Sequence, residues 1–267
     1  MQIDVAMLPQ LLLSAPLRTS VCVVIDVLRA TTTLTTLLAC GATGVTVAAD
    51  PDEARAAKLA DPDALLLGEI GGLRPDDFDL GNSPREITAQ AVGGRRAICS
   101  TSNGTAAIRA AVAAPLTLLG CLRNGTAVAA AALAAARRNG LTITIVCSGG
   151  AGGRSFALDD TLAAGQLVAL ARDMAERDGM PLELTDAALA AHTLRCNAVE
   201  CGTEPAHDRW EWVLRQTTAG RHLAQIGLGD DIPFCAAVDR ETTVPLARLS
   251  GGLVQLSALS PHAAARA

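Results

Sequence analysis

The chain has 267 residues, a net charge of −5 and an isoelectric point near 5.4, and aromatic residues make up only 2% of it. Nucleic acid is excluded as the expected partner, because phosphate backbones are held by clustered lysines and arginines and single strands by aromatic platforms, and the chain has neither. Half of the residues are hydrophobic, which is enough to bury a large core.

The amino terminus, MQIDVAMLPQLLLSAP, carries Asp4 and lacks the basic start of a signal peptide. Glycine, proline or charge interrupts every apolar stretch before the roughly 18 to 20 residues that a spanning helix needs, so we expect no membrane partner. The eight cysteines are scattered, and several lie in apolar runs such as TIVCS. These features predict a cytoplasmic protein with reduced thiols.

Short apolar runs recur along the first half of the chain, and segments rich in alanine and leucine separate most of them. Runs that are continuous rather than alternating indicate strands that are buried on both faces of a sheet. Besides a strand at the amino terminus, the predicted strands are SVCVVI (20–25), GVTVAA (44–49), ALLLG (64–68), RRAIC (95–99), LTLLGC (116–121) and LTITIVC (141–147). The predicted fold class is α/β, with a mostly parallel sheet flanked by helices.

Helical patterns dominate after Asp159, first over 159–179, then over 184–197 and around Trp210. Two further strands are predicted at 233–238 and 242–249. No linker rich in proline, serine or charge divides the chain. We therefore expect a single domain over residues 1–250, followed by a loosely ordered tail over residues 251–267.

Two stretches, SNGTAAIRAA (102–111) and RNGTAVAAAA (123–132), repeat Asn-Gly-Thr-Ala where a strand gives way to a helix. A duplicated unit with two similar lobes explains the repeat, and so does the general preference of these residues for helix starts. The sequence leaves both explanations open. It leaves a homo-oligomer open in the same way.

Four polar clusters follow predicted strands, at the sheet edge where α/β proteins bind ligands and helix amino termini attract anions. In the first, Asp26 ends a strand, Arg29 follows it, and Thr31 to Thr33 open a helix. An arginine fork and threonine hydroxyls can bind phosphate oxygens. The alternative is a structural Asp–Arg pair with threonines that cap the helix.

The second cluster is the long loop GEIGGLRPDDFDLGNSPREI (68–87), which carries Glu69, Arg74, Asn82 and Ser83. Loops of this length inside compact domains are usually functional or disordered. Ser83 before a proline also fits a helix cap. The two interpretations are compatible, because a capped helix start is also where an anion docks.

The third cluster is CSTSNGTAA (99–107), in which Asn103 and Thr105 supply donors and Gly104 lets the backbone approach a ligand closely. It is not a P-loop, because no lysine follows the glycine. Hydrolysis of nucleoside triphosphates is therefore not expected.

The fourth cluster is CSGGAGGRSFALDDTLAAG (147–165), which carries Arg154 and, at a helix start, Asp159 and Asp160. Acids at a helix start often only complement its dipole. Carboxylates that share a crevice with Asp26 could instead hold Mg²⁺, which takes a few carboxylates together with water and phosphate. His222 would line such a site if its segment folds back.

Taken in order, IDVLRATTTL, GEIGG…FDLGNSPREI, STSNGTAAI, GGAGGRSFALDDTLAAG and GRHLAQIGLGDDIPFCAAVDRETTVP resemble the 2-phosphosulfolactate phosphatase (ComB) family, over roughly Val21 to Pro245. The resemblance implies a ComB-like α/β fold and a Mg²⁺-dependent phosphatase. Its substrate would be a small anionic phosphate ester, 2-phosphosulfolactate, which is hydrolysed to sulfolactate and phosphate in coenzyme M biosynthesis. Family members often have Glu-Arg where this chain has Glu69 and Ile70, so one anion contact is missing.

Under this interpretation the metal ligands are Asp26, Glu69, Asp159 and Asp160, and the catalytic residues are Asp26, Arg29 and Asp160. The residues that orient the phosphate ester are Thr31, Arg74, Asn82, Ser83, Asn103, Gly104, Thr105 and Arg154. Either water or Asp26 attacks the phosphorus, and the sequence does not choose between them.

Two alternatives stay open at this point. One is a phosphatase of the same family that acts on a different acidic phosphate ester, as the missing arginine after Glu69 would allow. The other is a non-catalytic module that binds a small anion, in which the acids merely cap helices.

Overall fold

The computed structural model describes residues 1–13, 17–200 and 209–260. The strands in this part of the chain are β1 (Gln2–Ala6), β2 (Ser20–Ile25), β3 (Gly44–Val47), β4 (Leu65–Gly68), β5 (Arg96–Ser100), β6 (Leu116–Gly120), β7 (Thr142–Cys147), β8 (Glu183–Leu184), β9 (Pro245–Ser250) and β10 (Leu253–Ala258). The α-helices are α1 (Ala30–Ala39), α2 (Pro51–Ala60), α3 (Ala89–Val92), α4 (Gly104–Ala111), α5 (Gly125–Asn139), α6 (Leu158–Arg177), α7 (Asp186–Arg195), α8 (Arg209–Gln216), α9 (Thr218–Gln225) and α10 (Asp231–Ala236).

The strands form one sheet in the order β4-β5-β3-β10-β9-β6-β2-β7-β1-β8. Pairing is parallel within β4-β5-β3 and within β6-β2-β7-β1-β8. The pair β9 and β10 lies between these two segments and is antiparallel to its neighbours. The predicted α/β class with a mostly parallel sheet flanked by helices is confirmed.

The continuous apolar runs become central strands for the expected reason. All six residues of β2 are buried, and β2 pairs with β6 on one side and β7 on the other. The six strands predicted between residues 20 and 147 are all present, and their ends differ from the prediction by no more than two residues.

The two parallel segments run in opposite directions, because three antiparallel pairings separate β3 from β6. Adjacent strands are rotated in one sense by roughly 20–25°, so the five steps from β5 to β2 add about 100–125° of twist. Side chains from both segments, including Val24, Val45 and Leu67, pack with Leu34 and Leu37 of α1 in one core. The carboxyl ends of β2 and β5 meet above this core, where Asp26 contacts Gly104.

Both Asn-Gly-Thr-Ala stretches lie at strand-to-helix junctions, one between β5 and α4 and the other between β6 and α5. The strands that precede them belong to the two segments of the same sheet. The two stretches thus belong to one continuous sheet, and the duplicated unit stays a prediction.

Two predictions about the carboxyl-terminal part were wrong. Residues 233–238 were predicted as a strand, but α10 covers most of them, with Pro233 near its first turn, where proline is tolerated. Residues 251–267 were predicted as a loose tail, yet Leu253–Ala258 form β10 between β3 and β9. The alternation of buried Val254 and Leu256 with polar neighbours is a strand pattern that the small residues around it obscured. Residues 261–267 lie outside the described part of the chain.

In the described segments, every helix is too short or too polar to cross a bilayer.

Candidate functional site

A cavity of about 540 Å³ opens where the carboxyl ends of β2, β4, β5 and β7 meet. Its wall brings together residues from all four polar clusters of the sequence. The predicted site residues that line it are Asp26, Arg29, Glu69, Asn82, Asn103, Asp159 and Asp160.

Asp26 directly follows β2 and is buried at the start of α1. Its Oδ1 accepts the N–H of Ala30 at 3.1 Å. Burial raises the pKa of Asp26 to about 6; hydrogen bonds from Ala30 and Ser148 oppose this rise, and the charge of Glu69 adds to it. At neutral pH the carboxylate is therefore poorly solvated and close to its titration range, which favours a positively charged partner.

Glu69 follows β4 and is held on both carboxylate oxygens. Oε2 accepts the N–H of Gly72 at 2.6 Å and the hydroxyl of Ser102 at 3.1 Å, while Oε1 accepts the N–H of Ser102 at 2.6 Å. The side chain thus ties the loop after β4 to the loop after β5.

The paired acids at the start of α6 differ in their surroundings. Oδ1 of Asp160 accepts the N–H of Val27 at 3.0 Å, and Oδ2 accepts the Ser148 hydroxyl at 2.9 Å and the N–H of Gly149 at 3.1 Å. The carboxylate of Asp159, in contrast, accepts hydrogen bonds from backbone N–H groups at the start of its own helix, those of Asp159 and Asp160.

Both aspartates of this pair have raised pKa values. Burial raises the pKa of Asp159 to about 7, and the nearby charge of Asp26 adds to the effect. Burial also raises the pKa of Asp160 well above its ordinary value, and the charges of Asp159 and Asp26 contribute. Asp26, Asp159 and Asp160 therefore lie close enough together to repel one another when all three are ionised.

Among the described residues that line the cavity, Arg29 is the one arginine. Its Nη1 donates to Oδ2 of Asp231 at 2.6 Å, and its Nη2 donates to the carbonyl of Gly72 at 2.8 Å. Asp231 was not among the predicted site residues. Its motif GDDIPF was noticed in the sequence, but the segment beginning at Pro233 was interpreted as a strand.

His222 of α9 also lines the cavity, because the segment that carries it folds back over the sheet edge. Its Nε2 lies 3.0 Å from the carbonyl oxygen of Gly71. Since a carbonyl only accepts, Nε2 carries the proton of this hydrogen bond. The sequence identified His222 only on the condition that its segment folds back, and the structure meets that condition.

Comparison with known proteins identifies the family. The family model described as 2-phosphosulpholactate phosphatase matches residues 7–249. The chain belongs to the 2-phosphosulfolactate phosphatase family. Members of this family are, by name, phosphatases, and thus phosphoric monoester hydrolases.

Several curated relatives carry the name "Probable 2-phosphosulfolactate phosphatase". The relative from Deinococcus radiodurans is 39% identical over 226 residues, which are 84% of this chain and 86% of the relative. The one from Gloeobacter violaceus is 37% identical over 262 residues, 96% of this chain and 99% of the relative. The one from Thermus thermophilus is 37% identical over 229 residues, 85% and 88% of the two chains.

In this member of the 2-phosphosulfolactate phosphatase family, several residues predicted to orient the substrate lie behind the cavity wall. The Thr31 hydroxyl is buried, where it accepts the N–H of Asp26 at 3.0 Å and lies 2.7 Å from the carbonyl oxygen of Gly120. Thr105 exchanges hydrogen bonds with Thr101 at the start of α4. Both threonines stabilise the ends of strands, and the structure does not support a substrate contact for either.

Two predicted arginines are also directed elsewhere. Arg74 is exposed and donates to the carbonyls of Phe78 and Asp79 at 3.3 and 3.2 Å. Arg154 is exposed, and its Nε donates to the carbonyl of Ala151 at 3.0 Å. Each bonds to the backbone of its own loop, and neither lines the cavity.

Ser83 and Gly104 support residues of the cavity rather than line it. The Ser83 hydroxyl donates to Oδ1 of Asp231 at 2.6 Å, so it does not cap the short helix that follows it. Gly104 allows a close approach, as predicted, but the group that approaches is the side chain of Asp26. Two lining residues, Ser102 and Ser148, were missed because serine in a loop carries no distinctive signal.

Proposed function

We propose that this protein is a Mg²⁺-dependent phosphatase that hydrolyses 2-phosphosulfolactate, or a closely similar phosphorylated hydroxy-acid, to the free hydroxy-acid and phosphate. Family membership supports phosphate-ester hydrolysis. The observation that places the proposed reaction in this cavity is the convergence, beside Arg29, of four carboxylates from three separate stretches of the sequence. Such a site can neutralise a phosphoryl group and position its attacking nucleophile.

The carboxylates of this cavity fit a Mg²⁺ ion with one or two protein ligands better than an ion with four. Among the described residues, no group of three or more His, Cys, Asp and Glu side chains is arranged to hold a metal ion. Mg²⁺ usually needs only one or two carboxylates, with water and phosphate completing its shell. The predicted set of four metal ligands therefore stays a prediction, and we propose Asp26 and Asp159 as the pair that holds the ion.

An unsatisfied oxygen supports a bound ligand in this cavity. Oδ1 of Asn82, a residue that lines the cavity, is buried without a hydrogen-bond partner in the described part of the chain. A buried acceptor without a donor is costly, and a ligand would remove that cost. Mg²⁺ bound here would neutralise phosphoryl oxygens and polarise the attacking water.

Asp160 and Glu69 act as positioning residues in this proposal. Backbone N–H groups and serine hydroxyls occupy the oxygens of both carboxylates. Asp160 joins the ends of β2 and β7, and Glu69 joins the loops after β4 and β5. Their charges hold the loops that carry the ligand-binding groups.

Arg29 supplies the positive charge for the phosphoryl group. A guanidinium has five N–H donors, and two of those of Arg29 are used by Asp231 and Gly72. The remaining donors can form charge-assisted hydrogen bonds with phosphoryl oxygens. We favour water over Asp26 as the nucleophile, because Oδ1 of Asp26 already accepts the N–H of Ala30 and we assign the carboxylate to the metal ion.

His222 is our candidate for the acidic tail of the substrate. Its Nε2 donates to Gly71, so Nδ1 is the remaining ring nitrogen, and it donates to a carboxylate or sulfonate when the ring binds a second proton and becomes an imidazolium. It lies on α9, which also contributes Thr218 and Ala219 to the cavity wall. The phosphoryl group and the acidic tail would then contact different elements.

Phosphate release from a panel of esters tests the proposal. The panel contains 2-phosphosulfolactate, 2-phospholactate and p-nitrophenyl phosphate, each with Mg²⁺ and with EDTA. We expect Mg²⁺-dependent release that is fastest with 2-phosphosulfolactate, loss of activity in Asp26→Asn, and normal activity in Asp173→Asn, whose side chain is exposed on α6. Release that persists in EDTA, or no release from any ester, would contradict the proposal.

A further inference from the structure

A buried ion pair joins the cavity to the carboxyl-terminal part of the chain. Arg29 precedes α1 and Asp231 begins α10, and their side chains are each only 2% exposed. Nη1 of Arg29 and Oδ2 of Asp231 are 2.6 Å apart. Asp231 does not itself line the cavity, so any effect it has on a ligand passes through Arg29.

The pair is fixed at both ends. Arg29 is held by Asp231 on one terminal nitrogen and by the carbonyl of Gly72 on the other. Asp231 is held by Arg29 on one oxygen and by the Ser83 hydroxyl on the other, at 2.6 Å. A long, flexible side chain is therefore restricted to one orientation before any ligand binds, which removes an entropy cost from binding.

We propose that Asp231 is a positioning residue that holds the guanidinium of Arg29 in the orientation that binds the phosphoryl group. This inference rests on the proposed function. Four carboxylates line the same cavity, and the charge of Arg29 already acts on Asp26. Without Asp231, Arg29 would turn toward these carboxylates and neutralise them instead of the substrate.

The helix that carries Asp231 is anchored independently of the ion pair. Nη1 of Arg123 donates to the carbonyl of Phe234 at 3.0 Å, and its guanidinium lies 3.8 Å from the centre of the Phe234 ring. Nε of Arg123 donates to Glu241 at 2.9 Å. Replacing Asp231 by its amide therefore removes the charge while these contacts keep α10 in place.

Asp231→Asn is the direct test, and the chain offers a matched control next to it. Asp230 has an 84% exposed side chain that forms an ion pair with Arg85, at 3.3 Å. We expect Asp231→Asn to lower kcat/KM for 2-phosphosulfolactate by at least about 100-fold and to weaken inhibition by inorganic phosphate by at least about 10-fold, because an oriented charge-assisted contact is lost. Asp230→Asn should change both by less than about twofold, since it is an exposed pair.

A double-variant cycle separates positioning from a general structural role. If Asp231 acts through Arg29, adding Asp231→Asn to Arg29→Ala lowers kcat/KM by no more than about twofold beyond Arg29→Ala alone. Losses that multiply would overturn the proposal. Thermal unfolding curves give the fraction of each variant that is folded at the assay temperature. Activities are normalised to that fraction.

Binding of inorganic phosphate, measured by calorimetry, distinguishes the failure of this proposal from the failure of the proposed function. If the wild-type protein hydrolyses none of the esters, the proposed function fails, and weaker phosphate binding in Asp231→Asn still supports the positioning role. Equal phosphate affinity in the two proteins overturns the positioning role, whatever the activity. A wild-type protein that binds no phosphate also overturns it.

Discussion

Asp26 and Gly104 are in such close contact that a Cβ atom at position 104 would lie 2.8 Å from Oδ2 of Asp26 and 2.5 Å from Cβ of Ala30. The two residues follow strands from sheet segments that run in opposite directions. Their contact is the point where the two segments meet, and it sets the position of a carboxylate that we place in the active site.

Gly104→Ala should therefore displace the Asp26 carboxylate. We expect a loss of at least about tenfold in kcat for phosphate release, since small displacements of reacting groups are costly. Gly125→Ala is the matched control from the repeated motif, because its new Cβ would meet only the end of the Leu170 side chain closely, at 3.1 Å. Similar losses in the two variants would contradict this explanation.

The metal-free protein should lose stability as the pH rises, and Asp159 should account for part of the loss. Burial raises the pKa of Asp159 from 3.8 to about 7, so the folded state holds its proton more tightly than the unfolded state does. The stabilisation that protonated Asp159 gives the folded state is fully present below about pH 4 and is lost as the pH rises to about 7. In EDTA, the free energy of unfolding of Asp159→Asn, relative to that of the wild type, should rise by about 3 kcal/mol between pH 4 and pH 7.5.

Urea unfolding of both proteins at several pH values measures this difference directly. Mg²⁺ should reduce the difference in unfolding free energy between the two proteins at pH 7.5, because the bound ion would offset the negative charge of the ionised Asp159 carboxylate. A difference that moves in favour of the wild type as the pH rises would show that the sign is wrong.

Replacing His222 should affect substrates according to their acidic tail. We expect His222→Ala to raise KM for 2-phosphosulfolactate by about 10-fold, the effect of losing one hydrogen bond to a charged group. KM for p-nitrophenyl phosphate, which has no acidic tail, should stay within about twofold. Arg221→Ala is the control on the same helix, because Arg221 is exposed and donates to Gln216 and Thr218. Equal changes for the two esters would exclude a contact between His222 and the tail.

The position of β10 inside the sheet makes a prediction for stability. Leu256→Ala should cost about 2–5 kcal/mol of unfolding free energy, because Leu256 is buried at 1% exposure between two strands. Leu249→Ala in β9 removes the same atoms from a side chain that is 63% exposed and should cost less than about 0.5 kcal/mol. Denaturant unfolding of the two variants compares them, and equal costs would mean that β10 does not pack as observed.

The sequence predicted the parts of this fold that local patterns determine. Continuous apolar runs located the strands from β2 to β7, since a strand buried on both faces needs no polar alternation. β10 was missed because glycine, serine and alanine surround only three large apolar residues, and its burial depends on β3 and β9, which lie far away in sequence. α10 was mistaken for a strand for a similar reason, because six residues are too few to show a helical period.

The sequence predicted the site residues that lie in the polar stretches after strands. Asp26, Glu69, Asp159 and Asp160 were predicted to share a crevice, and all four line the cavity. What the sequence could not show is which polar side chains bond to their own loops, as Arg74 and Arg154 do. It also could not pair Arg29 with Asp231, which lies 202 residues further along the chain.

The most direct test of the central claim is a crystal structure of the protein with Mn²⁺ in place of Mg²⁺ and with inorganic phosphate, using anomalous scattering to locate the metal. We predict one anomalous peak within coordination distance of the Asp26 and Asp159 carboxylates, with the phosphate bridging the ion and Arg29. A peak elsewhere, or a phosphate bound away from Arg29, would contradict the assignment of this cavity as the active site.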